Sequence, residues 1–536
     1  MDTIEFDYIV VGAGSAGCAV AARLAADRDI RVLLLEAGPR DRNPWIHIPI
    51  GYGKTMFNPR LNWQFESEPE PHLNQRRIYI PRGRTLGGSS AINGLVYIRG
   101  QKEDFELWKS LGNEGWGWDD VLPYFRKSEC NERGADAHHG GSGPLSVSDI
   151  RGRHPLIDAI IAGAQELGIP RNDDFNGATQ EGAGYFQLTT RNGLRCSTAK
   201  AYLRSGIAGE NLKIETDACV SRVAFDGLRA RGVCYVKNGR TFRAVARGEI
   251  LLCAGAIQSP QLLMLSGIGD SDALRAAGIR TRHHLPEVGK NLQDHLQARL
   301  MYRCTRPITT NDALRTWWGK AGIGLQWLLR RSGPVAAGIQ LGGMFARTNA
   351  SETTPNVQFH FGTISADMTA GATHDFSGFT LSVCQLRPTS RGEITLASAD
   401  PGAAMRARFN YLDTEYDRRT MIEGVGMARQ LVGTSALAPF VADEYRPGFA
   451  TASEEQVLDF IREYATTIFH PVGTCRMGAD AGSVVDTRLR VRGVQGLRVI
   501  DASVMPRLLS GNTNAGSIVI GEKGADMIIA DRERTS

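Results

Sequence analysis

The 536-residue chain lacks the marks of several common protein classes. Its nine cysteines are scattered, odd in number and never arranged as Cys-x-x-Cys, which argues against a disulfide framework and against a zinc cluster. We therefore expect reduced thiols and no metal site. The formal net charge is only +5 and no run of Lys or Arg occurs, so we expect no nucleic-acid partner.

Long apolar runs are missing as well. Apolar stretches such as residues 33–35 have the length of a strand, whereas about 20 apolar residues are needed to span a bilayer. A folded motif begins within a few residues of the first Met, which leaves no room for a signal peptide. We expect a cytoplasmic protein without a transmembrane segment, and peripheral contact with the inner membrane stays open.

The composition that remains is typical of a soluble globular enzyme. Hydrophobic residues make up 42% of the chain, charged residues 22% and aromatic residues 7%. The length is too great for one ordinary hydrophobic core, so it predicts two domains or one large domain with a second layered onto it.

A dinucleotide-binding motif opens the chain. The apolar run at 7–11 predicts a buried parallel strand, and a Gly-x-Gly-x-x-Gly turn follows it. The glycines of this turn are Gly12, Gly14 and Gly17. Small, helix-forming residues continue from Ser15, and a second strand is expected at 31–36. That strand ends at Glu36, close to the spacing expected for the acid of such a motif.

Each residue of this motif has a physical role. Gly12 permits a tight turn, Gly14 lets the backbone approach a pyrophosphate, and Gly17 lets the helix pack closely on the strand. The helix N-terminus offers free N–H donors to the phosphates. Glu36 is expected to accept hydrogen bonds from the adenosine ribose and to repel a 2′-phosphate, which favours FAD or NAD over NADP.

Two later stretches favour FAD over NAD. Residues 82–100 are rich in Gly, Ser and Asn, so this loop can lie flat against an extended ligand and offer it short polar groups. The residues concerned are Gly88, Ser89, Asn93 and Gly94. A predicted buried strand within 496–506 carries Asp501, which can meet a ribityl hydroxyl or a nearby backbone N–H. The polar turn at 510–515 opens a helix whose N–H groups are expected to face the flavin.

These motifs resemble those of the glucose-methanol-choline (GMC) family of FAD-dependent oxidoreductases, and among its members the bacterial choline-type and alcohol dehydrogenases. The matching stretches are DYIVVGAGSAG with LLLEAG, PRGRTLGGSSAINGLVYIRG, LCAGAIQSPQLLMLSGIG, VGKNLQDHL, HPVGTCRMG and LRVIDASVMP with SGNTNA. The resemblance implies an α/β fold: a Rossmann-like FAD-binding domain with a mostly parallel sheet, and a discontinuous α+β substrate domain built on an antiparallel sheet. It places the FAD-binding domain at 1–155, 205–300 and 460–536, and the substrate domain at 156–204 and 301–459.

The resemblance also implies further contacts to the cofactor. They are made by Ser15, Ala16, Ala37, Arg84, Val220, Ala254, Ala502, Asn512 and Thr513. Relatives that hold FAD covalently use a histidine just before the asparagine of the second motif, and this chain has Ile92 before Asn93. We therefore expect FAD to be bound non-covalently.

Alcohol oxidation requires a base for the hydroxyl proton. Histidine, with an ordinary pKa near 6.5, suits this role at neutral pH. By resemblance the base is His470, and its partner is Asn512, which can donate a hydrogen bond to the substrate oxygen without taking up a proton. Cys475, close to His470, has no second ligand at metal spacing, so we expect a packing residue there.

Three residues are assigned to the substrate pocket. Gln340 stands where choline-oxidising relatives place a glutamate against the trimethylammonium group, so a neutral amide there disfavours choline. His360 is expected in the pocket, although its strand pattern leaves its face open. Ile468, together with Gly94, is expected near flavin C4a, where reactivity with oxygen is set.

We therefore predict FAD-dependent oxidation of a primary alcohol to the aldehyde, by hydride transfer to flavin N5 with His470 as general base. The expected partners are a small-molecule alcohol and an electron acceptor, a quinone or a dye. Four alternatives stay open: an alcohol oxidase that reduces O2 to H2O2, an NAD-dependent dehydrogenase, a non-redox lyase, and a light-driven decarboxylase on the same scaffold.

Overall fold

The computed structural model describes residues 5–367 and 372–534. A mostly parallel sheet forms around the first predicted strand, observed at Glu5–Val11. That strand pairs in parallel with Val32–Leu35 on one side and with Arg240–Leu252 on the other. Leu212–Glu215 extends the sheet beyond Val32–Leu35, and Leu497–Val499 pairs in parallel with the end of Arg240–Leu252. A hairpin completes it, with antiparallel strands at Cys219–Asp226 and Arg229–Lys237.

The helix between the first two strands, Ser15–Leu24, packs against the C-terminal helix Asn514–Glu533. A Cβ at Gly521 would lie 2.6 Å from a backbone oxygen of the first helix, so the contact has no room for a larger residue. Arg23 and the fully buried Glu522 form an ion pair at 2.7 Å across the same contact. The packing brings the polar turn that precedes the C-terminal helix next to the glycine turn of the first motif.

The second large sheet is antiparallel and has seven strands. Six of them follow one another across the sheet in the order Val441–Arg446, Leu296–Cys304, Gly378–Gln385, Val357–Gly362, Gln340–Ala346 and Gly182–Tyr185. The seventh, Thr466–Thr467, pairs with the start of Leu296–Cys304. A parallel sheet with a separate antiparallel sheet confirms the predicted fold class. The strand Leu296–Cys304 crosses the boundary proposed at residue 300, and the division into domains stays a prediction.

The strand Val357–Gly362 is buried at every position, although its sequence alternates. One face packs against the helix Glu415–Val432, where a Cβ at Gly424 would lie 2.8 Å from the side chain of Val383 on the neighbouring strand. The other face carries His360, which lines a cavity. Both faces are therefore covered, one by a helix and one by the walls of a site.

The remaining elements connect and flank the two sheets. Further α-helices lie at Pro44–His47, Tyr52–Thr55, Lys102–Ser110, Trp118–Ser128, Pro155–Glu166, Gly255–Leu265, Ser271–Ala276, Thr310–Arg315, Trp317–Arg330, Pro334–Ala337 and Glu454–Tyr464. Turns of 3-10 helix lie at Pro49–Gly51, Gly88–Ala91 and Ala502–Val504, and a π-helical turn at Ala199–Leu203. Short strands lie at Phe65–Glu66, Tyr79–Ile80, Glu129–Asn131, Leu145–Asp149, Gln187–Leu188, Thr190–Arg191, Leu194–Arg195, Ile268–Gly269, His283–His284, Ala366–Asp367, Ala372–Thr373, Glu393–Thr395 and Arg406–Arg408. Across residues 5–367 and 372–534, none of the helices has both the length and the apolar character that crossing a membrane requires.

Candidate active site

Most of the predicted cofactor residues line one cavity of about 790 Å³ at the carboxyl end of the parallel strands, where open α/β sheets bind their ligands. Those on its wall are Gly12, Gly14, Ser15, Ala16, Glu36, Ala37, Arg84, Gly88, Ser89, Val220, Ala254, Asp501 and Ala502. The sequence motifs, which lie far apart in the chain, therefore meet at one place.

The three glycines of the first motif occupy different surroundings. Gly12 has φ +101°, and a Cβ there would lie 2.6 Å from the backbone oxygen of Cys253. A Cβ at Gly17 would lie 1.9 Å from the backbone oxygen of Gly12, so Gly17 serves the packing of helix on strand behind the cavity. Gly14 has open space, with its nearest neighbouring atom at 3.9 Å, and its backbone faces the cavity.

Glu36 and Arg84 supply the polar groups that a dinucleotide requires. Glu36 accepts hydrogen bonds from the backbone N–H groups of Ala13 at 3.0 Å and Gly38 at 2.8 Å. Burial raises the pKa of Glu36 to about 7, against these hydrogen bonds and the nearby charge of Arg84. The Nε of Arg84 is buried without a hydrogen-bond partner in the part of the chain that the structure describes. An adenosine diphosphate would satisfy both groups, so the residues present fit the adenosine half of FAD.

Asp501 is occupied by protein donors. The observed strand ends at Val499, earlier than the predicted 496–506, because Asp501 caps a 3-10 turn by accepting from the backbone N–H of Ser503 at 2.8 Å. Its other oxygen accepts from the backbone N–H of Gly255 at 2.8 Å and from the hydroxyl of Ser259 at 2.5 Å. Of the two expected partners for Asp501, the structure thus shows the backbone N–H.

A second cavity of about 1020 Å³ adjoins the first, and Ser15, Arg82 and Ser89 line both. The other predicted residues on its wall are Asn93, Gly94, Gln340, His360, Ile468, His470, Asn512 and Thr513. Other parts of the wall come from the segment 45–57, from the antiparallel sheet and from the helix Trp317–Arg330. The shared residues Ser15, Arg82 and Ser89 join the two cavities into one elongated space.

A chain of hydrogen bonds determines which ring nitrogen of His470 carries a proton. Nε2 of His295 lies 3.0 Å from the backbone oxygen of Leu386, which can only accept, so this nitrogen is protonated. Burial lowers the pKa of His295 to about 4, so its ring is neutral and its Nδ1 must accept. That Nδ1 lies 3.0 Å from Nδ1 of His470. His470 therefore donates through Nδ1 and leaves Nε2 unprotonated.

The free Nε2 of His470 faces Asn512. Nδ2 of Asn512 lies 3.3 Å from Nε2 of His470, and Oδ1 of Asn512 accepts from Nε2 of Gln358 at 3.3 Å. Gln358 thus orients the amide so that its N–H groups are on the side of the base. A hydroxyl placed between the two side chains can donate to His470 and accept from Asn512.

Asp294 holds the segment of His470 without touching its ring. One oxygen of Asp294 accepts from the backbone N–H of His470 at 2.7 Å. The other accepts from the hydroxyls of Tyr411, at 2.6 Å, and Thr467. A carboxylate that bound the imidazole ring would favour its protonated form. Asp294 bonds to the backbone of His470 and not to its ring.

Burial lowers the pKa of His470 well below 6.5. His295, His360 and the charge of Arg82 lower it further, because a proton on His470 would be repelled by a proton on either neighbouring ring and by the guanidinium. The imidazole is therefore unprotonated at neutral pH, as a general base must be.

The structure places the predicted pocket residues Gln340, His360 and Ile468 on the wall of the second cavity. Oε1 of Gln340 and both ring nitrogens of His360 are buried and have no hydrogen-bond partner among residues 5–367 and 372–534. Burial, with a smaller contribution from His295, lowers the pKa of His360 to about 3. Their roles towards a substrate stay predictions.

Sequence reasoning assigned no role to several residues that build the site. They are Asp294, His295, Arg299 and Gln358. The first two belong to VGKNLQDHL, one of the stretches on which the family resemblance rests, and that membership is the signal that could have identified them. Cys475 is fully buried, in agreement with its expected packing role.

Known proteins that are similar to this chain are oxidoreductases. Models of two domains described as GMC oxidoreductase match residues 6–297 and 388–521. The alcohol dehydrogenase (acceptor) of Pseudomonas putida is 43% identical over 98% of this chain and 96% of its own. The oxygen-dependent choline dehydrogenase of Paraburkholderia xenovorans is 44% identical over 98% of this chain and 94% of its own. The solved structure of Aspergillus oryzae formate oxidase, described in terms of its FAD, matches with a TM-score of 0.94, 27% identity and 100% coverage of both chains.

Proposed function

The chain belongs to the GMC oxidoreductase family, and we propose that it oxidises a primary alcohol to the aldehyde with His470 as the general base. FAD, the cofactor of this family, supplies the acceptor for the hydride of the carbinol carbon when it is bound. The observation that carries the proposal is the unprotonated Nε2 of His470, directed at a cavity that Asn512 also lines.

The residues of the chain account for the proton. Asn512 donates a hydrogen bond to the hydroxyl oxygen, and His470 Nε2 accepts the hydroxyl proton as the carbon–oxygen double bond forms. The alcohol loses one hydride and one proton, so the aldehyde is neutral. His295 continues to accept from Nδ1 and so stabilises the imidazolium that this step creates.

We propose that residues of the first cavity, with Asn93 and Thr513 of the adjoining second cavity, hold FAD. Gly12 and Gly14 suit the pyrophosphate, Glu36 and Arg84 the adenosine half, and Asn93 with Thr513 the flavin. Ile92 replaces the histidine through which covalent attachment occurs, so we propose that FAD dissociates on unfolding. A tryptic peptide that retains flavin fluorescence would contradict this.

The experiment that tests the proposed function is anaerobic mixing of the FAD-loaded protein with a panel of primary alcohols. We expect at least one alcohol to bleach the flavin absorption band and to yield its aldehyde. If no alcohol reduces the flavin while a cyanohydrin is cleaved, the protein is a lyase and the proposal is wrong.

The electron acceptor is a separate part of the proposal. We propose a quinone-like acceptor and not O2. After anaerobic reduction, the flavin should be reoxidised much faster by a soluble quinone than by air-saturated buffer. Rapid reoxidation by O2 with stoichiometric H2O2 would instead identify an oxidase.

We propose that the helix Trp317–Arg330 makes peripheral contact with a membrane. None of its residues is buried. Its large apolar side chains, between 57% and 74% exposed, are Trp317, Trp318, Leu325, Leu328 and Leu329. The helix contains Lys320 and Arg330 and no acidic residue. Exposed Trp and Leu combined with cations suit the surface of an anionic bilayer.

Sedimentation with vesicles tests this contact. We expect the protein to bind phosphatidylglycerol vesicles and to bind neutral phosphatidylcholine vesicles much less. A W317S/W318S double variant should lose this binding and keep its flavin reduction. Leu228→Ser, which removes an exposed leucine from the hairpin of the parallel sheet, is the matched control. Equal binding by both variants would contradict the proposal.

A further inference from the structure

We propose that Arg299, with Gln340 and His360, forms a carboxylate-binding subsite in the substrate cavity, and that the alcohol oxidised at His470 carries an anionic group at its other end. This inference rests on the proposed function, because it names the class of its substrate. The register of the antiparallel sheet, the unpaired polar atoms and the charges of the cavity support it.

Strand register places the subsite next to the base. Gln297, Cys384 and Gln358 lie opposite one another on three neighbouring strands, and Gln358 is the residue that hydrogen-bonds to Asn512. The next row on the same face contains Arg299, Ser382 and His360. Alternate residues of a strand lie about 7 Å apart. The row that contains Arg299 is therefore about 7 Å from the row whose Gln358 hydrogen-bonds to Asn512. A substrate with several carbons between its hydroxyl and its anionic group suits this spacing.

This sheet face is rich in polar atoms without partners. Within residues 5–367 and 372–534, the buried unpaired atoms include Arg299 Nη1, Ser382 Oγ, Gln340 Oε1 and both ring nitrogens of His360. A buried polar atom without a hydrogen bond is costly, and a buried unpaired cation more so. Burial also lowers the pKa of Arg299, although Tyr52 and Asp367 offset part of this effect. A carboxylate would satisfy the guanidinium and accept the single N–H of a neutral His360.

The charges on the cavity wall are unequal. Among the lining residues that the structure describes, the cations are Lys54, Arg82, Arg299 and Lys320, and the only carboxylate is Asp367. Asp367 is already engaged, at 2.7 Å by Arg446 and at 3.2 Å by His374. The wall therefore attracts an anion and repels a quaternary ammonium, although one relative is named for choline.

The test compares three alcohols of equal chain length: ω-hydroxyhexanoate, hexanol and ω-aminohexanol. We expect kcat/KM for flavin reduction to be highest for ω-hydroxyhexanoate and lowest for ω-aminohexanol. Arg299→Gln should lower kcat/KM for ω-hydroxyhexanoate at least about tenfold more than kcat/KM for hexanol, because only the carboxylate loses a charge-assisted pair. Arg303→Gln, on the same strand but exposed and paired with Asp443, is the matched control and should change none of the three.

A binding measurement separates the subsite from the chemistry. Hexanoate has no hydroxyl to oxidise, and its Kd for the FAD-loaded protein, measured by calorimetry, should rise at least about tenfold in Arg299→Gln. FAD content and melting temperature check that the variant folds. If hexanol is oxidised and neither hexanoate binding nor the carboxylate preference depends on Arg299, the subsite is wrong and the proposed function stands. If no alcohol reduces the flavin, hexanoate binding still reports on the subsite.

Discussion

His470 and His139 are both buried, and their surroundings move their pKa values in opposite directions. His139 lies between two carboxylates, with Nδ1 at 3.1 Å from Glu129 and Nε2 at 2.9 Å from Asp174. Burial lowers its pKa, but the hydrogen bonds to Asp174 and Glu129 prevail and raise it to about 9. The ring of His470 hydrogen-bonds to another neutral histidine and to an amide, and its pKa falls well below 6.5.

The difference lies in where each region places its carboxylates. Around His139 they bind the ring, so the imidazolium acts as a fixed cation inside a network that also holds Arg99, paired with Glu129 at 2.5 Å. Near His470, the carboxylate of Asp294 accepts from the backbone N–H of His470 and from two hydroxyls, and it does not bind the ring. One histidine is therefore charged and structural, and the other is neutral and able to take up a proton.

Removal of the base should have the largest effect. His470→Ala is expected to lower the rate constant of flavin reduction by about 10²–10⁴, because general-base assistance is worth that much, while FAD stays bound. Anaerobic stopped-flow absorbance measures the rate. His139→Gln, at the structural site, should leave the reduction rate of folded, FAD-loaded protein nearly unchanged. Near-normal reduction in His470→Ala would remove the distinction between the two histidines.

The positioning residue His295 should have the next largest effect. His295→Leu removes the acceptor for Nδ1 of His470 and frees its tautomer, so we expect kcat to fall roughly 10–100-fold with little change in KM. The expected loss is smaller than in a serine protease triad, because the acceptor here is neutral. His295→Gln, whose amide oxygen can still accept, should retain most of kcat. Equal losses in both variants would mean that His295 only fills space.

The contrast also shows what the sequence alone could predict. The glycine turn, Glu36 and the pair His470 and Asn512 were predicted, because each belongs to a motif whose residues are neighbours in sequence. Asn512 lies 42 residues after His470, and only the family resemblance identified it as the partner of the base. In the structure, Nδ2 of Asn512 lies 3.3 Å from Nε2 of His470. The observed position of Glu36 on the wall of the first cavity follows from the end of the strand Val32–Leu35, which the local sequence pattern predicts well.

The rest of the site arises from strand register, which the sequence does not reveal. Arg299 and His360 are 61 positions apart in the chain, and they share a face only because both lie opposite Ser382. His295 reaches Nδ1 of His470 because the short strand Thr466–Thr467 pairs with the start of Leu296–Cys304. The alternating pattern of Val357–Gly362 left the face of His360 open, since the strand is buried on both sides.

At the structural histidine, the expected effect is on stability. Because the pKa of His139 is about 9 when folded and near 6.5 when unfolded, its contribution is fully present below pH 6.5 and is lost as the pH rises through about 9. Below pH 6.5 we expect His139→Gln to lower the free energy of unfolding by about 2 kcal/mol. Urea unfolding of both proteins between pH 6 and pH 10 measures the difference. A difference that does not shrink above pH 9 would contradict a charged His139.

At the base, we expect the rate constant of flavin reduction to stay the same over a range of pH. His470 acts when unprotonated, and its pKa lies well below 6.5, so the unprotonated fraction stays close to one from pH 8 down to 6.5. The rate constant of flavin reduction at saturating alcohol should therefore be flat over this range and fall only at lower pH. If His470 were held by carboxylates as His139 is, it would titrate near 9, and the rate would fall about tenfold for each pH unit below that. A decline between pH 9 and pH 7 in the native protein would thus show that the two histidines are alike in charge, and the neutral chain through His295 would have to be abandoned.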